Sequence, residues 1–333
     1  MSVNFKKSDE YKFLLDVMFK SDKIDYSYAS NINYDIVVKL ASSYLLLPNL
    51  YFHLKHKKLL GVIPIELVSY LENIYNINLN RNKILIKEIN SLRNLLNDAK
   101  VKHIFFKGAE LLDKKIFKDL GVRMVGDIDF LVDEVDINRV KKMLDENNFN
   151  NSFNYKIINK RDLPKYTSKS NIFALEPHTE ILSYSKRKVY NSNSAFKDYK
   201  TNKYLFYLKV CVLNNQINDH GHLYSFIGHR SIQDFLAISK NIKSENIGLE
   251  NIYMKRFFVI LNHMGISELK IQMSVWDKLY LKRHILMEKY KLIWFINLLI
   301  CRIFEKTPKK IFQILEFMIN KNYREYIFKK YKS

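Results

Sequence analysis

Two aspartates one residue apart, Asp127 and Asp129, lie inside the apolar run VGDIDFLVDE. In a strand, successive side chains point to opposite faces. Asp127, Asp129 and Leu131 therefore share one face, and Ile128, Phe130 and Val132 the other. Two like charges about 4 Å apart repel by roughly 4 kcal/mol at an effective dielectric of 20. A divalent cation offsets that repulsion. An all-oxygen donor set suits Mg²⁺, which takes one or two carboxylates together with substrate phosphates and waters. The plainer reading is a pair of edge-strand aspartates facing water, or one of them capping a helix. The flanking Phe-Leu-Val speaks against a wet edge.

Two further segments carry groups of the same chemistry. FFKGAELL reads as a strand, then Gly108, then a helix start. Free N–H groups and the positive end of the helix dipole favour a phosphate there, and glycine allows close approach. Lys107 and Arg123 add charge, although a glycine between strand and helix is by itself only a turn signal. FALEPHTEIL supplies Glu176 as a third carboxylate, with Glu180 as the alternative. A third acid in a phosphoryl-transfer site holds a second metal or takes the proton of the attacking hydroxyl. His178 shares the strand face of Glu176 and Glu180.

These residues need elements to hold them. From the N-terminus to about Lys100 apolar residues recur at three- and four-residue spacing, which predicts helices. Pro48 interrupts that pattern, and Ile84, Ile86, Ile89, Leu92, Leu95 and Leu96 form one stripe. The period then changes. VKHIFFKG and VGDIDFLVD predict strands, with AELLDKKIFKDL a short helix between them. DINRVKKMLDENNF predicts a helix capped by Asp136. NYKIINK and NIFALEPHTEIL predict further strands around a loop containing Pro164. From about Asn193 onward helices return. The expected class is α+β: a mixed sheet with helices at 101–190, between helical regions at 1–100 and 191–333.

The 333 residues carry a net charge of +21, which favours anionic partners such as nucleotides, phosphosugars, nucleic acid or an acidic membrane surface. No segment interleaves basic and aromatic residues densely enough for a strand-binding platform. Charge is therefore expected to be scattered, with Lys107, Arg123 and a few neighbours facing the cleft. Cys211 and Cys301 form neither a disulfide framework nor a cysteine zinc motif, and suit a reducing cytoplasm. MSVNFKKSDEYK lacks the apolar core of a signal peptide, which also predicts a cytoplasmic protein. LIWFINLLICRIF is too short to span a bilayer. It is expected to be a buried helix, with peripheral membrane contact as the alternative. His53 and His56 are expected at the surface. His220, His222 and His229, near Arg230 and Asp234, are expected to serve a helix start and an interdomain salt link.

Taken together, FFKGAELL, GVRMVGDIDFLV and LEPH resemble the uncharacterised bacterial nucleotidyltransferase family, within the polymerase-β-like nucleotidyltransferase fold. KLASSYLLLPNLYFHL and HRSIQDFLAIS resemble that family's flanking helices. The resemblance implies transfer of a nucleoside monophosphate from an NTP such as ATP to an acceptor, with Mg²⁺ and release of pyrophosphate. It implies that Asp127 and Asp129 are metal ligands and Glu176 the third acid. Lys107 and Gly108 would lie near the triphosphate, and Arg123 would have a phosphate or structural role. The wider superfamily's Gly-Ser pair is Gly108-Ala109 here, so one phosphate-touching hydroxyl is missing. The acceptor is a sugar or phosphosugar, a protein or RNA. The alternative function is a non-catalytic module that binds nucleotide or nucleic acid on the same fold.

Overall fold

The computed structural model describes residues 8–20, 24–151, 163, 165–242, 247–321, 324–325 and 328. It is an α+β structure. The N-terminal helices are α1 (Asp9–Leu15), α2 (Tyr26–Ser30), α3 (Tyr34–Ser43), α4 (Leu47–His56) and α5 (Ile65–Asp98). Then come β1 (His103–Phe106), α6 (Lys107–Asp113), β2 (Asp127–Val132), α7 (Ile137–Glu146), β3 (Asn150–Asn151), β4 (Tyr166–Thr167) and β5 (Ala174–His178). The chain continues through α8 (Ser192–Thr201), α9 (Lys203–Leu213), α10 (Gly221–Tyr224), α11 (His229–Ser239), α12 (Ile252–His263), α13 (Val275–Lys289) and α14 (Lys291–Ile319). The predicted strand NYKIINK lies outside the described residues.

The described strands form one mixed sheet in the order β1-β2-β5-β4-β3. β2 runs antiparallel to β1 and parallel to β5. Its residues Ile128 to Val132 are buried, as a strand covered on both faces requires.

The 34-residue α5 buries Leu71, Leu85, Ile89, Leu92 and Leu96, with Asn78 and Asn82 in the same stripe. The buried edge is thus centred one residue away from Ile84 and Ile86, which are half-buried. The helix ends where Lys100 turns left-handed and the Val101 N–H reaches back to the Leu96 carbonyl. Pro48 sits in the first turn of α4, where its missing N–H costs nothing. The break before it is made by left-handed Leu45.

Three local expectations change. α6 begins at Lys107, before the glycine, and ends at Asp113 because left-handed Lys115 closes it. Asp136 stands at the start of α7 without capping it. Its carboxylate instead accepts from the Lys102 N–H and from Arg139. The apolar run in α14 is not buried: Leu292 is 69% and Phe304 67% exposed. Among the described residues this helix rests mainly on α10 and α13, with Cys301 on that inner face.

Candidate functional site

The register of three strands builds the site. Asp129 pairs laterally with Phe106 on β1 and with Glu176 on β5. Lys107 follows Phe106 directly, and its ammonium lies 2.6 Å from Asp129 Oδ1. His178, two residues past Glu176, places Nε2 2.8 Å from the same oxygen and 4.0 Å from Glu176 Oε2. Lys165 pairs with Glu176. Ligand atoms of Asp129, Glu176 and His178 all lie within 4.8 Å of one another. Asp127, at the start of β2, lines the neighbouring cavity and is not a member of that tight group. The structure therefore brings Asp129, Glu176, His178 and Lys107 together, with Asp127 beside them at the cavity wall.

The two aspartates are in different electrostatic states. Burial raises the carboxyl of Asp127, and the charges of Asp129 and Glu176 raise it further against Lys107 and Arg230. Burial works against ionised Asp129 as well, but Lys107 and the His178 hydrogen bond prevail and hold its carboxyl low. Asp129 is thus a fixed anion, and Asp127 carries the unrelieved repulsion of the group.

The backbone around Lys107 is strained. Its φ is +59°, a conformation that costs a side-chain-bearing residue on the order of 1 kcal/mol or more. The adjacent Gly108 is dictated by packing, because a Cβ there would meet Val125 Cγ2 at 2.9 Å. Close packing accounts for this glycine whether or not a phosphate approaches it. A seven-residue α6 also offers only a small dipole.

The loop that delivers Asp127 is clamped from two sides. Asn78 donates to the carbonyls of Gly121 and Arg123, and Asn82 to those of Leu120 and Arg123. From α11, Asp234 takes Arg123 Nε at 2.7 Å and Nη2 at 2.9 Å, and Gln233 donates to the Val122 carbonyl. Arg123 Nη1 donates to the Met124 carbonyl. Arg123 lines the cavity, yet most of its donors hold protein groups, which favours the structural member of its two expected roles. The salt link expected near His229 is made by Asp234. His229 itself meets the Tyr11 hydroxyl and stacks on Tyr44. Glu180 accepts from the Ser192 N–H at the start of α8.

The cavity measures about 400 Å³ and includes Lys107, Asp127, Tyr207, Asp219 and Arg230 among its walls. Such a volume is within the range of small-ligand sites. Sequence reasoning missed Lys165 and the two asparagines. It also missed Glu110, fully buried on α6, whose Oε1 accepts from Tyr199 and Tyr207 while Oε2 has no hydrogen-bond partner among the described residues. The polar breaks Asn78 and Asn82, four residues apart within an apolar stripe, were the available signal for the clamp.

No curated protein and no solved structure matches this chain. The model of the uncharacterised nucleotidyltransferase family matches residues 30–205, just over half of the sequence, and the chain belongs to that family.

Proposed function

We propose that this protein is a Mg²⁺-dependent nucleotidyltransferase that moves a nucleoside monophosphate from an NTP to an acceptor. The observation that carries the reading is the lateral pairing of Asp129 with Glu176, with Asp127 on the same strand face beside a cavity lined by Lys107 and Arg230. The donor set fits a hard cation: the carboxylates crowd one another, and Asp127 is pushed up by burial and then by the charges of Asp129 and Glu176. Asp127, Asp129 and Glu176 would hold the ion, which neutralises charge developing at the α-phosphoryl group. His178 and Lys107 orient Asp129, while Lys107 and Arg230 draw the triphosphate into the cavity. An acceptor oxygen attacks the α-phosphorus, the bond to the β-phosphate oxygen breaks, pyrophosphate leaves, and the acceptor proton passes to a carboxylate or solvent.

The experiment is incubation with each α-labelled NTP, Mg²⁺ and cell lysate, followed by separation of nucleic acid, protein, and sugar or phosphosugar products. Label in one fraction, absent with Asp129→Asn, identifies the acceptor class. Equal labelling by wild type and variant overturns the reading.

A non-catalytic nucleotide-binding role is favoured by one observation: Lys107, His178 and Lys165 already pair with Asp129 and Glu176. That role predicts saturable NTP binding with no labelled product in any fraction. The unpaired thiols Cys211 and Cys301 support the cytoplasmic placement. Among the described residues no helix is long and apolar enough to cross a membrane. The exposed Leu292, Phe295, Leu299 and Phe304 of α14 support peripheral contact with an acidic membrane surface. Co-sedimentation with anionic vesicles, reduced by Phe295→Ser/Phe304→Ser, is the expected outcome; equal sedimentation of wild type and variant refutes it.

A further inference from the structure

A second group of metal-type side chains lies outside this site. α12 ends on His263, and α13 carries His284 and Glu288 one helical turn apart. The two helices pack together. Glu288 Oε2 then stands 3.3 Å from His263 Nε2, and Glu288 Oε1 stands 3.4 Å from His284 Nε2. Ligand atoms of all three residues lie within 4.8 Å of one another.

The tautomer of His284 follows from its surroundings. Its Nδ1 lies 2.7 Å from the carbonyl of Ser225, and a carbonyl only accepts. Nδ1 therefore carries a proton, and in the neutral ring Nε2 presents a lone pair. The residue is 2% exposed, and among the described residues this buried Nε2 has no hydrogen-bond partner. It faces a carboxylate oxygen, which is a second acceptor. Two acceptors in that arrangement repel until a cation or a proton lies between them. A ring held by Nδ1–H to a backbone carbonyl, leaving Nε2 as the donor, is the usual setting of a metal-bound histidine. Ser225 adopts φ +53°, a conformation uncommon for a residue with a side chain, at the point where its carbonyl meets the ring.

The donor atoms lie close enough for one small ion to gather them, all within 4.8 Å of one another. Zinc–nitrogen and zinc–oxygen bonds of about 2.0–2.2 Å place neighbouring donors roughly 3.3–3.5 Å apart at tetrahedral angles. His263 and His284 each approach a different oxygen of Glu288 to about that spacing, so the carboxylate lies between the two rings. Two imidazoles exclude Mg²⁺ and Ca²⁺ as preferred occupants and select the zinc class. His263 is exposed and borders a cleft shared with Asp9, Lys12 and Lys20, which gives an ion a way in and a water room to complete the coordination.

We propose that His263, His284 and Glu288 form a binding site for a divalent transition metal of the zinc class, tying the end of α12 to α13. None of the three belongs to the carboxylate site on the sheet.

The test uses the full chain, stripped of metal with a chelator and titrated with Co²⁺ as a spectroscopic substitute for zinc in excess Mg²⁺. One tight equivalent with the visible absorption of four-coordinate cobalt is expected, displaced by Zn²⁺. His263→Gln and Glu288→Gln should each weaken binding by more than the roughly 10- to 100-fold that loss of a second-sphere partner costs. Asp129→Asn should retain it. His263 is exposed, so its variant keeps the test sound if substitutions at His284 disturb folding, and circular dichroism verifies the fold of each. The proposal is overturned if wild type gives no cobalt spectrum, if both glutamine variants bind as wild type does, or if binding is lost in Asp129→Asn instead. An imidazolium–carboxylate pair alone would give the first of these results.

Discussion

Replacing Asp234 with asparagine tests the clamp on the loop that leads into β2. Arg123 and Asp234 are separated by 111 positions in sequence and joined by two charge-assisted hydrogen bonds. Their side chains are only 8% and 11% exposed. Asparagine keeps the shape and removes the charge, leaving the guanidinium buried beside Met124 without its counter-ion. Removing one partner of a buried pair costs about 3–5 kcal/mol. At roughly 2.1 cal/mol/K of unfolding entropy per residue, a chain of 333 residues carries about 0.7 kcal/mol/K. The corresponding fall in Tm is about 4–7 °C, read by calorimetry. Arg123→Met, Asp234→Leu and the double variant close a cycle, in which the double should lose less than the sum of the singles by at least about 1 kcal/mol. A Tm within about 1 °C of wild type for Asp234→Asn, together with lost nucleotide binding in Arg123→Met, would refute the clamp and return Arg123 to the triphosphate.

The two aspartates of β2 should behave differently on substitution. Asp127→Asn relieves repulsion and should raise Tm in metal-free buffer, whereas Asp129→Asn strands Lys107 and His178 and should lower it; both should abolish transfer, and full activity in both would sink the catalytic assignment. Ser274 caps α13, and the Asp277 carboxylate completes the capping box by accepting from the Ser274 N–H and hydroxyl while pairing with Lys255; burial opposes its charge, but those hydrogen bonds prevail and lower its carboxyl from 3.8 to about 2. Its charge-linked stabilisation is therefore complete above pH 3.8 and lost as pH falls through about 2, so the cost of Asp277→Ala in urea titrations should shrink by about 2 kcal/mol between pH 7 and about pH 1. Burial raises the carboxyl of Glu110 above 4.5, so its contribution is complete below that pH and lost as pH rises. Glu110→Gln should then match wild type near pH 4.5 and be at least as stable at pH 8, and a deficit above about 1 kcal/mol at pH 8 would contradict this.

Much of the site could be read from the chain because it is local. Asp127 and Asp129 share a face by strand alternation, and the same rule joins Glu176 to His178. Their lateral pairing across β2 and β5 needed only that the two strands be neighbours. The groups that tune and hold these residues were not legible. Asp234 reaches Arg123 from the far side of the chain, and Lys165 approaches Glu176 from a loop without a periodic pattern. Lys107 adopts a left-handed backbone that a Lys-Gly pair would assign to the glycine. Glu110 is buried only because α8 and α9 bring Tyr199 and Tyr207 over a short helix, a long-range contact that no local pattern announces. The exposed face of α14 differs from expectation because apolar content alone says nothing about whether a partner element exists to cover it.

The asparagine pair on α5 makes that helix sensitive to rotational phase. Each inserted residue turns everything beyond it by about 100°. One insertion between Asn82 and the Leu85–Leu96 stripe would therefore swing Asn78 and Asn82 away from the carbonyls of residues 120–123 while the rest of the helix stayed seated. Seven inserted residues would bring the faces back within about 20° of register, but displace them by two turns along the axis. The length of this helix is thus quantised. Its loop-holding end tolerates no small insertion or deletion, whereas the stretch before Leu71 makes none of the loop hydrogen bonds found among the described residues, and a change of length there leaves Asn78 and Asn82 in phase with the Leu85–Leu96 stripe.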